Sequence, residues 1–257
     1  MKNGAVTNKK INYFKNKTLD KRANYLIDQD KTPFNIMESF RKIKLALSVS
    51  VPKHEKGGVS IVVTSSYPAE GKTTVSVNVA ITFAMSSNAK VIVVDTDIRK
   101  GKVCKYFKTE NGKGLSDYLS GGASLEEVVN TSKDYENLRF ISCGSRSPKP
   151  YELLESEAMK ELDKKLREEY DYVIYDTAPV LLFSDAVAVA KNADGVAIVC
   201  KHLSSYENDL EKTVNLLKFS ELNILGVIVN DYKSNEKQAD NRYYNSSYGY
   251  YNSNDED

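Results

Sequence analysis

From residue 59 onward, short apolar runs alternate with amphipathic stretches along the chain. The apolar runs are rich in β-branched residues and read VSIVVTS, KVIVVD, LRFISC, YDYVIYD, DGVAIVC and ILGVIVND. Runs of this kind are typical of strands that are buried on both faces of a sheet. The stretches between them predict helices at 72–86, 151–170, 185–191 and 206–219, with shorter helices within 115–130.

This alternation predicts one α/β domain. Strands separated by helices form parallel sheets through right-handed crossovers. We therefore expect a three-layer fold in which a mostly parallel central sheet lies between two layers of helices. At 257 residues the chain is long enough for one such domain with a sizeable core. The expected boundaries are a basic flexible arm at 1–32, the domain at 33–232 and a disordered tail at 233–257.

A further helix is predicted ahead of the first strand, in the segment NIMESFRKIKLALSVS. Its partly helical apolar pattern consists of Ile36, Phe40, Ile43, Leu45 and Leu47. Glu38, Arg41 and Lys44 fall at intervals of three on another face, where charged side chains pair along a helix. This segment is interpreted as a helix that docks on a surface.

The charge of the chain is unevenly distributed. The whole chain has a formal net charge of +1, which argues against a nucleic acid partner. Residues 1–56, however, hold thirteen Lys and Arg against five Asp and Glu, a net charge of +8. That basic segment is read either as a solvated arm or as a region that lies near anionic lipid or an acidic partner.

Several classes of protein are disfavoured by what the chain lacks. The sequence has no apolar run long enough to span a membrane and no apolar segment near its start, so we expect a cytoplasmic protein. Cys104, Cys143 and Cys200 match no metal-ligand or redox spacing, which suits a reducing compartment. With His54 and His202 as the two histidines, a histidine-based catalytic triad is disfavoured.

The segment VVTSSYPAEGKTT contains a P-loop, although Ser66 stands where the first glycine is usual. The loop follows a predicted strand and opens a predicted helix, as the motif requires. Backbone N–H groups would surround the phosphates of ATP, Lys72 would reach the β and γ oxygens, and Thr73 would bind Mg²⁺. A P-loop NTPase-like fold follows from this motif. The expected nucleotide-binding residues are Ser66, Ala69, Glu70, Gly71, Lys72, Thr73, Thr74 and Asn230.

Three acidic residues follow two of the apolar runs. Asp95 and Asp97 end the segment VIVVDTD, and Asp176 ends YVIYD. Ligands of open α/β sheets bind at the carboxyl ends of strands, so these acids should face the P-loop. We expect them to hold Mg²⁺ directly or through water, together with Thr73, and one of them to accept a proton from the attacking group. Lys72 and the three acids are therefore the predicted catalytic residues.

The segments SSYPAEGKTT, VIVVDTDIRKG and VIYDTAP resemble the Walker A, A′ and B motifs of bacterial protein-tyrosine kinases, or BY-kinases. The resemblance covers the chain from about residue 35 onward and is strongest to cytoplasmic kinase subunits of Gram-positive capsule and exopolysaccharide systems. It implies ATP-dependent phosphorylation of tyrosine. Asp97 or Asp95 would accept the phenol proton, and Asn230 would contact the adenine. Arg99 and Lys100 would either bind a phosphate or an acidic partner, or remain solvated loop charges.

The C-terminal segment NRYYNSSYGYYNSNDED has tyrosines but no aliphatic residue to pack against, so it should not fold. The resemblance implies that these tyrosines are autophosphorylated between neighbouring subunits. The expected sites are Tyr243, Tyr244, Tyr248, Tyr250 and Tyr251. Each phosphate would add about −1.5 to −2 charges and would loosen a ring of subunits by repulsion.

The resemblance also implies partners. Glu38, Arg41 and Lys44 match the family's ExxRxxR motif for ring formation, except that Lys44 replaces an arginine and loses its two-point hydrogen bonding. A transmembrane activator would recruit the chain to the inner face of the membrane through its cytoplasmic tail. A cognate tyrosine phosphatase would reverse the modification.

Two other functions compete with this interpretation. One is a positioning or partitioning ATPase of the deviant P-loop group, which has an extra lysine early in the loop. Tyr67 stands where that lysine is expected, and the tail is acidic and tyrosine-rich, so the kinase is favoured. The other is a scaffold that binds ATP without catalysis, which an intact Lys72, Thr73 and three acids disfavour.

Overall fold

The computed structural model describes residues 26–52, 54, 57–87 and 89–232. The central sheet in the described part of the chain has seven strands, and every pairing within it is parallel except that between the strand at one edge and its neighbour. In chain order the strands are β1 (Val59–Ser65), β2 (Val91–Asp95), β3 (Val129–Thr131), β4 (Leu138–Ile141), β5 (Tyr172–Asp176), β6 (Gly195–Lys201) and β7 (Ile224–Asn230). Their order across the sheet is β3-β4-β2-β5-β1-β6-β7.

Helices cover both faces of this sheet. In chain order they are α1 (Phe34–Ser50), α2 (Lys72–Ser87), α3 (Val103–Tyr106), α4 (Leu115–Leu119), α5 (Leu125–Val128), α6 (Pro150–Leu154), α7 (Glu157–Glu169), α8 (Asp185–Ala190) and α9 (Glu207–Phe219). Alternate residues of each strand enter different cores. Ile61 and Val63 of β1 pack with α1 and α2, whereas Val62 packs with the core that α7, α8 and α9 cover. The predicted three-layer, mostly parallel fold is confirmed.

Two details of the predicted pattern are wrong. The helix predicted at 151–170 is two helices, because Ser156 starts α7 by accepting a hydrogen bond from the Met159 N–H at 3.3 Å. The short strand β3 was not predicted, since its three residues carry no apolar run. It pairs antiparallel with β4 at the edge of the sheet.

The segment 26–32, which the sequence assigned to a flexible arm, packs on the domain. The Ile27 side chain is 1% exposed. Its N–H donates to Asn78 Oδ1 of α2 at 2.8 Å, and its carbonyl accepts from the Tyr135 hydroxyl. Leu26 and Ile27 at the start of this segment are therefore docked on the domain, which the predicted flexible arm did not include, whereas residues 1–25 lie outside the described residues.

The predicted helix ahead of the first strand is present as α1. Met37 and Leu47 are buried beneath it, and Phe40 and Ile43 pack against the same core. Its other side remains open: Phe34 is 71% exposed and Leu45 64% exposed. None of the helices in the described part of the chain has the length and apolar character needed to cross a bilayer.

The Ile27 anchor generates a stability prediction. Ile27→Ala removes a fully buried side chain and should lower the free energy of unfolding by about 2–4 kcal/mol. Urea unfolding of the whole chain measures this value. Ile36→Ala is the matched control, because Ile36 is 44% exposed, and it should cost less than about 1 kcal/mol. Equal and small effects of the two substitutions would show that Ile27 is not docked in solution.

Candidate functional site

The P-loop connects the end of β1 to the start of α2, at the carboxyl edge of the sheet. Two of its residues, Ala69 and Gly71, adopt positive φ angles of 66° and 95°. These left-handed conformations turn the backbone tightly into the N-terminus of α2, a helix of 16 residues. The free N–H groups of a helix start attract anions, so the loop is shaped to receive phosphate.

The loop is held from the side of β6 and β7. The Glu70 carboxylate is buried and accepts hydrogen bonds from the Tyr67 N–H, at 2.9 Å, and from the Ser205 hydroxyl. The Asn230 side chain donates to the Glu70 carbonyl at 3.0 Å. Two residues that the sequence assigned to nucleotide binding, Glu70 and Asn230, thus contact each other and fix the loop. The role of Ser205 was missed, since a serine in a polar loop carries no pattern.

Asp95 and Asp176 lie side by side because they are register partners on the neighbouring strands β2 and β5. Both are 0% exposed, whereas Asp97 is 6% exposed at the rim. Asp95 accepts backbone N–H groups on both oxygens, from Asp97 at 3.3 Å and from Val103 at 2.9 Å. The structure therefore brings together the three acids that the sequence singled out.

Lys72, the first residue of α2, reaches this acidic cluster. Its Nζ lies 3.4 Å from Asp97 Oδ2. Burial alone lowers the pKa of Lys72, but the carboxylates of Asp176, Asp97 and Asp95 raise it, and the net shift is upward. The ammonium group therefore stays charged where a nucleotide phosphate would lie.

The buried carboxyls have the opposite tendency. Burial, followed by the neighbouring charge of Asp176, raises the pKa of Asp95 well above its ordinary value. Burial also raises the pKa of Asp176, although Lys72 and the Thr73 and Ser76 hydroxyls act against it. Ser76 Oγ donates to Asp176 Oδ1 at 3.1 Å. Asp176 Oδ2 is buried and has no hydrogen-bond partner among the described atoms.

Two hydroxyl side chains of the P-loop contact other elements of the protein. The Ser66 hydroxyl lies 2.8 Å from the Thr213 hydroxyl of α9, which explains how a serine replaces the usual first glycine. The Thr74 hydroxyl lies 2.6 Å from the Tyr106 hydroxyl. A cavity of about 490 Å³ flanks the loop, and its lining includes Tyr67 and Tyr206. The sequence gave no sign of this cavity, because distant segments form it.

Two other groups of predicted residues do not belong to this cluster: the charged residues of α1 and the C-terminal tyrosines. On α1, Arg41 pairs with Glu38 at 3.5 Å within the helix, and both remain exposed. Arg41, Lys44, Leu45 and Ser48 line a shallow cavity of about 330 Å³. The five C-terminal tyrosines at 243–251 lie outside the described residues.

The chain is similar to several known proteins. The family model described as an AAA domain matches residues 53–226. Tyrosine-protein kinase YwqD of Bacillus subtilis (strain 168) is 34% identical over 219 residues, which are 85% of this chain and 87% of YwqD. Putative tyrosine-protein kinase EpsB of Ralstonia nicotianae is 32% identical over 234 residues, or 91% of this chain, which spans 30% of the length of EpsB.

Solved structures agree with these relatives. The chimerical protein CapA2B2 has a TM-score of 0.73 at 29% identity, covering 80% of this chain and 88% of the solved chain. The septum site-determining protein MinD of Pyrococcus horikoshii, complexed with Mg-ADP, has a TM-score of 0.58 at 25% identity, covering 68% and 71%. Of these two structures, CapA2B2 has the higher TM-score. The two sequence relatives are both named tyrosine-protein kinases.

Gly71 provides a test of the loop geometry. A Cβ at this position would lie 1.9 Å from Asn230 Nδ2, so Asn230 would have to leave the Glu70 carbonyl, and φ would remain strained. Gly71→Ala should weaken ATP binding at least about tenfold, as measured by calorimetry. Gly112→Ala is the control, because an added Cβ there meets no atom within 4 Å. Unchanged affinity in Gly71→Ala would contradict this geometry.

The raised carboxyl pKa values predict how stability depends on pH. Because burial raises the pKa values of Asp95 and Asp176 in the folded protein, the folded state binds more protons than the unfolded chain at pH values between the ordinary and the raised carboxyl pKa. Stability is therefore greatest below the ordinary carboxyl pKa and falls as the pH rises through the raised values, by up to about 1.4 kcal/mol per pH unit for each group. Urea unfolding at several pH values tests this. Asp176→Asn should reduce the slope, and stability that rises with pH above the ordinary carboxyl range would contradict it.

Proposed function

Because this chain belongs to the family of bacterial tyrosine-protein kinases, we propose that it transfers the γ-phosphoryl group of ATP to tyrosines of neighbouring copies of itself. The observation that carries this proposal is the Lys72 ammonium group held 3.4 Å from Asp97, beside the buried Asp95 and Asp176. Phosphoryl transfer needs positioning and charge stabilisation rather than covalent help, and this cluster supplies both at the mouth of a P-loop.

Mg²⁺ is the metal that suits these residues. Its preferred ligands are oxygen atoms, and Asp176 Oδ2 is a buried acceptor without a partner among the described atoms. Within the described ranges, no three His, Cys, Asp or Glu side chains converge on one metal position. Thr73 and Asp176 would therefore hold Mg²⁺ with the help of water and phosphate, while Asp95 and Asp97 complete the charge. The bound ion would neutralise charge on the transferred group.

Asp97 is the better candidate for the proton acceptor. Asp95 is 0% exposed, so an incoming hydroxyl does not reach it, whereas Asp97 is 6% exposed. Asp97 lies at the rim, where an incoming tyrosine hydroxyl has access. The phenol proton passes to the Asp97 carboxylate while the phenol oxygen bonds to the γ phosphorus. The bond from that phosphorus to the β–γ bridging oxygen breaks, and ADP leaves. Lys72 balances charge on the β and γ oxygens throughout.

The substrates and partners follow from sequence and family. The tyrosines Tyr243, Tyr244, Tyr248, Tyr250 and Tyr251 are the proposed acceptors, since a polar tail without aliphatic residues can reach a neighbouring subunit. The exposed pair of Glu38 and Arg41, with Lys44, supports a ring contact through α1. A transmembrane activator at the inner face of the membrane, a tyrosine phosphatase and a role in capsule or exopolysaccharide synthesis belong to the same proposal.

The test is phosphorylation of the purified full chain with ATP and Mg²⁺, with the cytoplasmic tail of its activator added. Lys72→Met should reduce phosphotyrosine at least about a hundredfold, because charge on the phosphates is no longer balanced. Replacing all five tail tyrosines by Phe should remove most phosphotyrosine and leave ATP affinity unchanged. Mass spectrometry of the C-terminal peptide provides the readout.

Other outcomes would overturn the proposal. Full phosphorylation of the five-Phe variant would show that the acceptor tyrosine lies outside the tail. Tyr232, which is exposed just after β7, would then be the next candidate. ATP hydrolysis without phosphotyrosine would favour the positioning ATPase, for which the likeness to MinD is the supporting observation. Binding of ATP with neither reaction would favour the scaffold.

A further inference from the structure

Arg99 makes a two-point contact with a buried carboxylate close to the candidate active site. Its Nε donates to Asp185 Oδ2 at 2.9 Å, and its Nη2 donates to Asp185 Oδ1 at 3.3 Å. The guanidinium carbon also lies 4.4 Å from the centre of the Phe183 ring. Parallel hydrogen bonds and a ring contact together fix both the position and the plane of a guanidinium group.

The burial of Asp185 makes its carboxylate dependent on a charged partner. The Asp185 side chain is 1% exposed, whereas that of Arg99 is 32% exposed. A carboxylate removed from water is costly unless a charged partner replaces its hydration. Both oxygens of Asp185 obtain this replacement from Arg99. The arginine is therefore held by the protein and is not an unattached loop cation.

The contact joins two loops that carry the acidic cluster. Arg99 lies in the turn after β2 that contains Asp97, and Asp185 lies at the far end of the loop that follows Asp176. The bases of the two loops are already tied, because the Thr96 N–H and hydroxyl both donate to the Asp176 carbonyl at 2.8 Å. The contact between Arg99 and Asp185 adds a second connection between the two loops, farther from the strand ends.

Asp97 lies between these two ties. The Lys100 N–H donates to Asp97 Oδ1 at 3.0 Å, so the course of the backbone after Arg99 orients the Asp97 carboxylate. Its other oxygen, Oδ2, faces Lys72 at 3.4 Å. A turn that is free to tilt would change the direction of this carboxylate without changing the buried positions of Asp95 and Asp176.

We propose that Arg99 is a positioning residue, whose pairing with Asp185 holds the turn after β2 so that Asp97 faces Lys72 and the acceptor hydroxyl. The role of Asp97 as proton acceptor rests on the proposed function. The pairing accounts for Arg99 without a phosphate ligand. Lys100 has an exposed side chain in the same turn and contributes its backbone N–H, so it serves as a matched control.

The experiment compares Arg99→Ala, Arg99→Lys, Asp185→Asn and Lys100→Ala in the full chain. Initial rates of tail phosphorylation are measured over a range of ATP concentrations, and binding of a fluorescent ATP analogue is measured separately. Arg99→Ala and Asp185→Asn should each lower kcat at least about tenfold, because small displacements of a reacting group cost about that much or more. Affinity for the analogue should change less than about twofold, since the P-loop is untouched.

Three further readouts separate positioning from loss of folding. The KM for ATP should stay within about twofold of the wild-type value in Arg99→Ala while kcat falls, whereas Lys100→Ala should retain both wild-type values. Arg99→Lys should recover part of the rate, since it keeps the charge but not the two-point contact. The double variant Arg99→Ala with Asp185→Asn should be no slower than the slower single variant, because both remove one interaction.

Different results overturn the proposal. Weaker analogue binding in Arg99→Ala but not in Asp185→Asn would make Arg99 a phosphate ligand. An equal loss of kcat in Lys100→Ala would show that the effect comes from positive surface charge in general and not from the pairing of Arg99 with Asp185. If the wild-type chain hydrolyses ATP and forms no phosphotyrosine, the proposed kinase function fails; the same variants are then compared by ADP release. Additive losses in the double variant would reject the role of the pair in either reaction.

Discussion

The attraction between Lys72 and the carboxylates around it is the interaction on which the site depends. Asp95 and Asp176 are removed from water where β2 and β5 end, at a cost that only nearby positive charge and hydrogen bonds offset. Lys72 supplies charge, and the N–H groups of Asp97 and Val103 supply hydrogen bonds. Burial still raises the pKa values of both Asp95 and Asp176, and for Asp95 the neighbouring charge of Asp176 adds to this effect. A bound divalent cation would offset this concentration of acidic groups.

The geometry of this cluster is fixed from both sides of the P-loop. On one side, Glu70 joins the loop to Ser205 and Asn230, after β6 and at the end of β7. On the other side, Arg99 and Asp185 join the loops that follow β2 and β5. Because β1 lies between β5 and β6, the strand that leads into the P-loop is flanked by both supports. The P-loop and the acidic cluster are therefore held by contacts that involve both strands next to β1.

The layer of α1 and α2 connects this site to the N-terminal region. Helix α2 begins at Lys72 and also carries Asn78, which binds the backbone of Ile27. The same core buries Met37 and Leu47 of α1, whose outer face remains apolar and basic. A contact between subunits at α1 would thus act on the layer that contains α2, the helix that begins at Lys72. Through this shared core, the proposed ring formation could affect the geometry of the site.

The sequence by itself determined the layers, the strand ends and the identity of Lys72, Asp95, Asp97 and Asp176. It could do so because an apolar run reports burial, and a polar residue at its end reports the edge where ligands bind. The tertiary structure alone decided which loop residues support the site. Arg99 with Asp185, and Glu70 with Ser205, are separated by long stretches of chain and follow no periodicity. Ile27 was likewise hidden, because the short apolar pair Leu26 and Ile27 in a basic segment packs on the core only when the fold brings Asn78 and Tyr135 to it.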